Sequence, residues 1–264
     1  MPKKLTLAIA TLFVSLLTGC DFFLDFGEVT SPHLLLGNPS NAGLEPNNYL
    51  MEKPQYALSY NQEKGTPNWV SWQLNENWLG RVERQDDFRP DPTLPEDWYS
   101  VRPNDYRGSG YDRGHMTPSA DRRATTEDNS ATFFMTNIVP QTPNNNRGAW
   151  RVLEEYCRDL VEEGKELYIV AGVYGDKEKI GPDKQITVPS YTWKVIVVLD
   201  DPGTGLGGIS EDTRVIAVDV TNRTNTSSDW KRYQVSVDKL EEKTGYDFLN
   251  RVPTSIQDVI ESKV

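Results

Sequence analysis

Asn146-Arg147-Gly148-Ala149-Trp150-Arg151-Val152-Leu153-Glu154-Glu155-Tyr156-Cys157-Arg158-Asp159-Leu160 carries two periodicities at once. Ala149, Val152, Leu153, Tyr156 and Leu160 recur at offsets of 0, 3, 4, 7 and 11, the spacing that gathers apolar side chains on one face of an α-helix. Asn146, Trp150, Glu154 and Arg158 recur every four residues and, at about 100° per residue, drift along a line beside that stripe. The pattern predicts a helix from about Asn146 to Gly164 that buries one face and borders it with an amide, an indole, a carboxylate and a guanidinium. Taken alone, Glu154 and Arg158 also fit a plain i,i+4 ion pair on a solvated face, worth about 0.3–0.5 kcal/mol.

Such a helix needs a surface to pack on. Short alternating or β-rich runs occur at Gln55 to Tyr60, Asn68 to Leu74 and Thr132 to Ile138, then at Glu166 to Val173, Thr192 to Leu199 and Thr213 to Val220. Several are apolar on both faces, notably Val195-Ile196-Val197-Val198, which predicts the buried middle of a sheet covered by helices. Between 81 and 131, Pro90, Pro92, Pro95, Pro103, Gly108 and Gly110 break any regular period, as in functional loops carried on a rigid scaffold. No repeat or low-complexity tract divides the chain.

At the N-terminus, Lys3 and Lys4 precede an apolar run from Leu5 to Leu17 that closes on Leu17-Thr18-Gly19-Cys20. The run is too short to span a bilayer comfortably and has the form of an export signal. The small-small-Cys ending resembles that of a bacterial lipoprotein, with Cys20 as the lipidated residue; an ordinary cleaved secretory peptide is the other reading. The expected organisation is a signal over 1–20, a Pro-, Asn- and Gly-rich tether over 21–48, and one folded domain over 49–264. His33-Leu34-Leu35-Leu36 suggests that part of the tether packs. The implied location is exported, either membrane-anchored at the periplasm or cell surface or secreted. If Cys20 carries lipid, Cys157 is the only thiol left, so no internal disulfide supports the fold and a core must.

A net charge of −11 argues against a broadly basic nucleic-acid surface. Its distribution qualifies that. Residues 81–158 hold eleven of the fifteen arginines and none of the thirteen lysines, against thirteen acidic residues. Arginine without lysine suits bidentate phosphate recognition, and a salt-bridge network is the alternative.

His115, in Asp112-Arg113-Gly114-His115, is one of two histidines in the chain; the other, His33, falls in the expected tether. A two-histidine mechanism or a His-His metal site is therefore disfavoured. An isolated histidine is commonly structural, but an imidazole with an ordinary pKa of about 6.5 is suited to take a proton from water attacking phosphorus. No Cys-x-x-Cys, His-x-x-x-His or His-Glu-x-x-His spacing supports zinc. A hard cation that keeps most of its waters can be held by one asparagine carbonyl.

Asp112-Arg113-Gly114-His115, Thr136-Asn137-Ile138-Val139-Pro140-Gln141 and Asn146 through Glu154, in that order, resemble the DNA/RNA non-specific endonucleases of the ββα-metal superfamily. The resemblance extends to Asn68-Trp69-Val70, Glu83-Arg84-Gln85, 165–172 and 244–249, and covers nearly all of 45–264. It implies a mixed α/β (α+β) fold: a central, mainly antiparallel sheet flanked by helices, with a ββα element that presents base and metal. It further implies that His115 is the general base and Asn146 the single direct protein ligand of Mg²⁺ or Mn²⁺. Glu154 would hold one of the cation's waters, Arg84 and Arg158 would bind the scissile or adjacent phosphate, and Arg113 would add phosphate or structural contacts. Asp112 and Asn137 would support the loop and the imidazole. DNA and RNA would be cut to 5′-phosphate products without regard to sugar or sequence. A dedicated protein inhibitor and membrane attachment through Cys20 are the implied partners. Two other readings share these residues: a surface lipoprotein of the same fold that binds nucleic acid without cutting it, and a small-substrate phosphodiesterase or phosphatase. The first would lose the catalytic set, which is intact. The second would want the denser Asp/His cluster of a two-metal site, which is missing.

Overall fold

The computed structural model, which describes residues 31–264, has strands β1 (Tyr49–Glu52), β2 (Ala57–Asn61), β3 (Thr66–Leu74), β4 (Asp112–His115), β5 (Ile138–Gln141), β6 (Glu166–Ile180), β7 (Ile186–Leu199), β8 (Arg214–Thr221) and β9 (Gln234–Val235), of which β2, β3, β6, β7 and β8 fall on the β-rich runs. Seven of them make one antiparallel sheet in the order β1-β2-β3-β6-β7-β8-β9, and β4 pairs with β5 in a second, two-stranded one. The helices are α1 (Thr126–Ala131), α2 (Arg151–Glu162), α3 (Val237–Thr244) and α4 (Thr254–Ile260). This is the expected α+β architecture, a mainly antiparallel sheet flanked by helices. No helix among the described residues is long and apolar enough to cross a membrane.

The alternation of β7 divides the core in two, because successive side chains of a strand point to opposite faces. Trp193, Val195, Val197 and Leu199 pack with Leu240 of α3, Ile260 of α4, and Phe248 and Leu249 between them. Ile196 and Val198 face the other way, onto Leu153, Cys157, Leu160 and Val161 of α2. Each such side chain, fully buried, contributes about 1.5–3 kcal/mol, which is why strands apolar on both faces sit mid-sheet. The free thiol of Cys157 is buried in this core.

Three expectations are corrected. Residues 31–48 are not a free tether but belong to the domain. The His33 ring donates from Nε2 to Pro54 O at 2.8 Å and accepts the Gln73 N–H on Nδ1 at 3.2 Å, while Trp69 Nε1 donates to Ser40 Oγ at 2.8 Å. Leu36 and Ala42 complete the cluster under α3 and α4, so apolar burial overrides the Pro/Asn/Gly composition. The signal, Cys20 and residues 21–30 lie outside the described residues. Second, Thr132–Ile138 is no strand: α1 ends at Ala131, Met135–Asn137 is a 3-10 turn, and only Ile138 enters β5. Third, the helix is not regular from Asn146. Asn145–Trp150 is a π-helical turn with Gly148 at φ −100°, ψ −115°, outside the helical region, and the α-helical spacing begins at Arg151.

Candidate active site

The small sheet and α2 make the ββα element. In β4–β5, Asp112 faces Gln141 and His115 faces Ile138. Gly114 permits this pairing: a Cβ there would lie 2.0 Å from Gln141 Oε1, a side chain with no solvent exposure. Asn137 locks the strand's far end. Its Oδ1 accepts the Thr117 N–H, and its Nδ2 donates to Thr117 O and Thr132 O, each at 2.9 Å. The π-turn after β5 is tied to the main sheet by two asparagines outside the motifs. Asn222 accepts the Thr142 N–H at 2.8 Å and donates to Pro140 O and Pro189 O at 2.9 Å, and Asn145 Nδ2 donates to Thr192 Oγ1 at 2.9 Å.

His115, Asn146, Glu154, Arg84, Arg113 and Arg158 all line one open cleft of about 340 Å³. A larger cleft of about 510 Å³ lies beside β1, but it holds none of these residues. Asp112 and Asn137 stand behind the cleft as supports. Asp112 Oδ2 accepts from Asn146 Nδ2 at 2.9 Å and from Arg147 Nε at 2.8 Å, and Oδ1 accepts Arg147 Nη2 at 2.7 Å. Although burial works against it, the hydrogen bonds from Arg147 and Asn146 hold the Asp112 carboxyl below its usual range. Because the Asn146 amide nitrogen is committed to Asp112, its carbonyl oxygen is the atom left to accept or ligate.

His115 is more buried than its polar neighbours suggest, at 9% exposure. Its ring packs edge-on to Phe133 with centroids 5.0 Å apart and tilted against Phe88 at 5.3 Å. Nε2 is buried without a partner. Burial, then the charges of Arg84 and Arg113, push its pKa down to about 3, so the ring is neutral with a free lone pair across the physiological range. Arg84 and Arg113 stack over the same aromatic pair, Arg84 4.7 Å above Phe133 and Arg113 4.1 Å above Phe88. Arg84 also donates to Ser119 Oγ at 2.7 Å. These contacts aim two guanidinium groups at the cleft while leaving donors unspent.

Of the four-residue row, Asn146, Glu154 and Arg158 reach the cleft, whereas Trp150 turns into the core and donates from Nε1 to His115 O at 3.1 Å. The indole therefore braces the backbone of the imidazole. Arg158 donates to the buried Asp121 Oδ1 at 2.9 Å, and Trp72 Nε1 donates to Oδ2 at 3.0 Å. Beneath Glu154 lies a residue that belongs to none of the motifs. Lys194, on β7, is fully buried, its Nζ 3.9 Å from Glu154 Oε1 and 4.2 Å from the Trp150 ring centroid, with no hydrogen-bond partner. Its position opposite Trp193 in the strand alternation is the one signal that places it on the α2 face. Burial raises the Glu154 carboxyl to about 7, opposed by Lys194 and Arg158. An amide oxygen and a carboxylate without a hydrogen-bond donor, both on the cleft, form a hard oxygen donor set that fits a divalent cation keeping most of its waters.

An imidazole, an amide oxygen, a carboxylate and convergent guanidinium groups thus meet on one ββα element, an arrangement that fits a phosphodiester-cleaving site. The family model for DNA/RNA non-specific endonucleases matches residues 39–255. The chain belongs to that family and is a nucleic-acid hydrolase. It is 63% identical over 237 residues to a nuclease of Nostoc sp., spanning 89% of this chain and 86% of the relative. It is 36% identical over 208 residues to the mitochondrial nuclease EXOG of Danio rerio, 73% of this chain and 58% of that one. The fold matches a solved structure of the EndoG/EndoGI complex with a TM-score of 0.70 at 24% identity, covering 86% of this chain and 95% of the other.

Proposed function

We propose that the protein hydrolyses phosphodiester bonds of both DNA and RNA, in the presence of Mg²⁺ or Mn²⁺, to 5′-phosphate products. The observation that carries this reading is the convergence of a neutral, unpartnered imidazole and the freed Asn146 carbonyl on one arginine-lined cleft. Asn146 Oδ1 would hold the cation directly, and Glu154 would hold one of its waters. When bound, the cation stabilises charge on the phosphate and on the departing oxygen.

His115 takes a proton from the attacking water as that water's oxygen bonds to phosphorus. The bond from phosphorus to the 3′ oxygen breaks, and the leaving oxygen takes a proton from solvent in the cleft. Arg84, Arg113 and Arg158 grip the phosphate oxygens and draw off charge. Trp150, Asn137 and Asp112 keep the imidazole and the amide in place. A base that activates water needs no 2′-hydroxyl, and contacts made only to the backbone carry no sequence information, so sugar and sequence indifference follow.

Purified protein is expected to degrade plasmid, single-stranded DNA and RNA with Mg²⁺ or Mn²⁺, and chelation is expected to stop it. His115→Ala is expected to lose about 10²–10⁴-fold in turnover with its fold intact; full activity in that variant would remove the imidazole from the reaction. Asn146→Ala that keeps a normal metal response would remove Asn146 as ligand. A protein inhibitor is proposed for this chain as well, a reading supported by the inhibited EndoG/EndoGI complex that its fold matches. We also propose export with lipid attachment at Cys20. Cys20→Ser is expected to release the protein from membranes, and unchanged partitioning counts against the anchor.

A further inference from the structure

Across the sheet from the nuclease cleft, the C-terminal helices bring three carboxylates together. Asp238 and Glu241 stand one turn apart on α3, and Glu261 follows the last residue of α4. One oxygen from each lies within 4.8 Å of the other two. The relation is fixed by the Asp238 N–H, which donates to Glu261 O at 3.2 Å, and by Leu240 and Ile260, buried in one cluster. Glu261 is only 5% exposed, and its Oε1 is buried with no hydrogen-bond partner. Glu241 is oriented by the Phe248 N–H, which donates to its Oε1 at 2.9 Å.

The nearest lysines on α3 are engaged elsewhere, Lys239 with Glu242 and Lys243 with Asp219, and none of the three carboxylates forms an ion pair among the described residues. Asp247 and Asp258 add to the negative field. Glu261 also caps the C-terminal end of α4, where the helix dipole is itself negative. A buried carboxylate in that position is costly unless a cation or a proton neutralises it. Burial and the surrounding Glu241, Asp238, Asp247 and Asp258 push the Glu261 carboxyl up to about 8.

We propose that Asp238, Glu241 and Glu261 bind a calcium ion that staples α3 to the end of α4. Calcium accepts roughly six to eight oxygens at about 2.3–2.6 Å in irregular geometry, so ligands up to about 4.8 Å apart can share it. Magnesium, octahedral at about 2.0–2.1 Å, spans less and releases its waters reluctantly. Three carboxylates with the rest of the shell from water correspond to the weak range typical of extracellular modules, about 10⁻⁴–10⁻³ M.

Thermal unfolding of Asn146→Ala protein, in which the nuclease cleft is disabled, separates this site from that one. Near neutral pH, calcium chloride at about ten times half-saturation is expected to raise the melting temperature by roughly 4 °C over the value in chelator. Adding Glu261→Gln keeps the shape, removes the charge, and is expected to abolish the calcium shift. Asp238→Asn, an exposed position where folding is not at stake, is expected to weaken it. In the natural background, Glu261→Gln is expected to leave nuclease activity unchanged. No response to calcium up to about 10 mM, or equal shifts with and without Glu261, overturns the proposal. So does a melting temperature that rises on acidification and ignores calcium, since the cluster then holds a proton.

Discussion

Asn137→Ala tests how the imidazole is held. The Asn137 side chain is fully buried and makes three hydrogen bonds of 2.9 Å, two of them to the backbone N–H and C=O of Thr117, two residues beyond His115. It does within one side chain what a neighbouring strand would do for that segment. Alanine leaves the Thr117 N–H, Thr117 O and Thr132 O without partners. Each orphan costs about 1–3 kcal/mol, and a water entering the polar cavity recovers part of that, so the net penalty is about 4 kcal/mol. In a domain of this size that lowers the melting temperature by roughly 12 °C. Urea unfolding followed by tryptophan fluorescence, with turnover measured well below the transition, reads both stability and the seating of His115. Asn137→Asp sharpens the test: the anion keeps the shape but cannot donate to two carbonyls, so it is expected to be at least as damaging, with partial recovery at low pH where a protonated acid regains one donor. If Asn137→Ala unfolds within about 0.5 kcal/mol of the parent and turns over normally, the clamp is not what holds the strand.

His33 reports on the docking of residues 31–48. Burial, then the charge of Arg122, lower its pKa from 6.5 to about 4, so between these values the unfolded chain binds the proton and the folded one does not. Its contribution is fully present above pH 6.5 and is lost as pH falls towards 4; from about pH 7 to 5 the parent is expected to lose about 2 kcal/mol more than His33→Gln, and equal losses refute the assignment. Lys194→Met removes the buried charge that eases ionisation of Glu154 while preserving volume. The acid limb of the nuclease pH profile is expected to move to higher pH, and an unmoved limb contradicts the coupling. The net charge of −11 repels polyanions at long range, so activity is expected to rise with moderate salt before screening weakens the arginine contacts; a monotonic fall from the lowest salt argues otherwise.

The helix stripe, the doubly apolar strands and the ordered Asp112–His115, Thr136–Gln141 and Asn146–Glu154 motifs were legible because each is local: periodicity and residue type carry them. Residues 31–48 read as a tether because Pro, Asn and Gly turns look alike whether or not a surface awaits them, and the surface here is built from β3, α3 and α4. The start of the helix was misread for a related reason. A π-turn that adds a residue to the backbone ring at Gly148 separates Trp150 from its row and sends it into the core, and no spacing rule announces that.

By itself, the sequence determined the chemistry on offer: one usable imidazole, an amide and a carboxylate eight residues apart, and arginine concentrated in the middle of an acidic chain. Tertiary structure decided what those groups are able to do. Asp112 claims the amide nitrogen of Asn146 and so frees its oxygen, Phe88 and Phe133 enclose His115 and keep it neutral, and Lys194 lies beneath Glu154. Protonation and orientation depend on burial and on partners 18 to 40 residues away in these contacts, and distance along the chain carries no record of either.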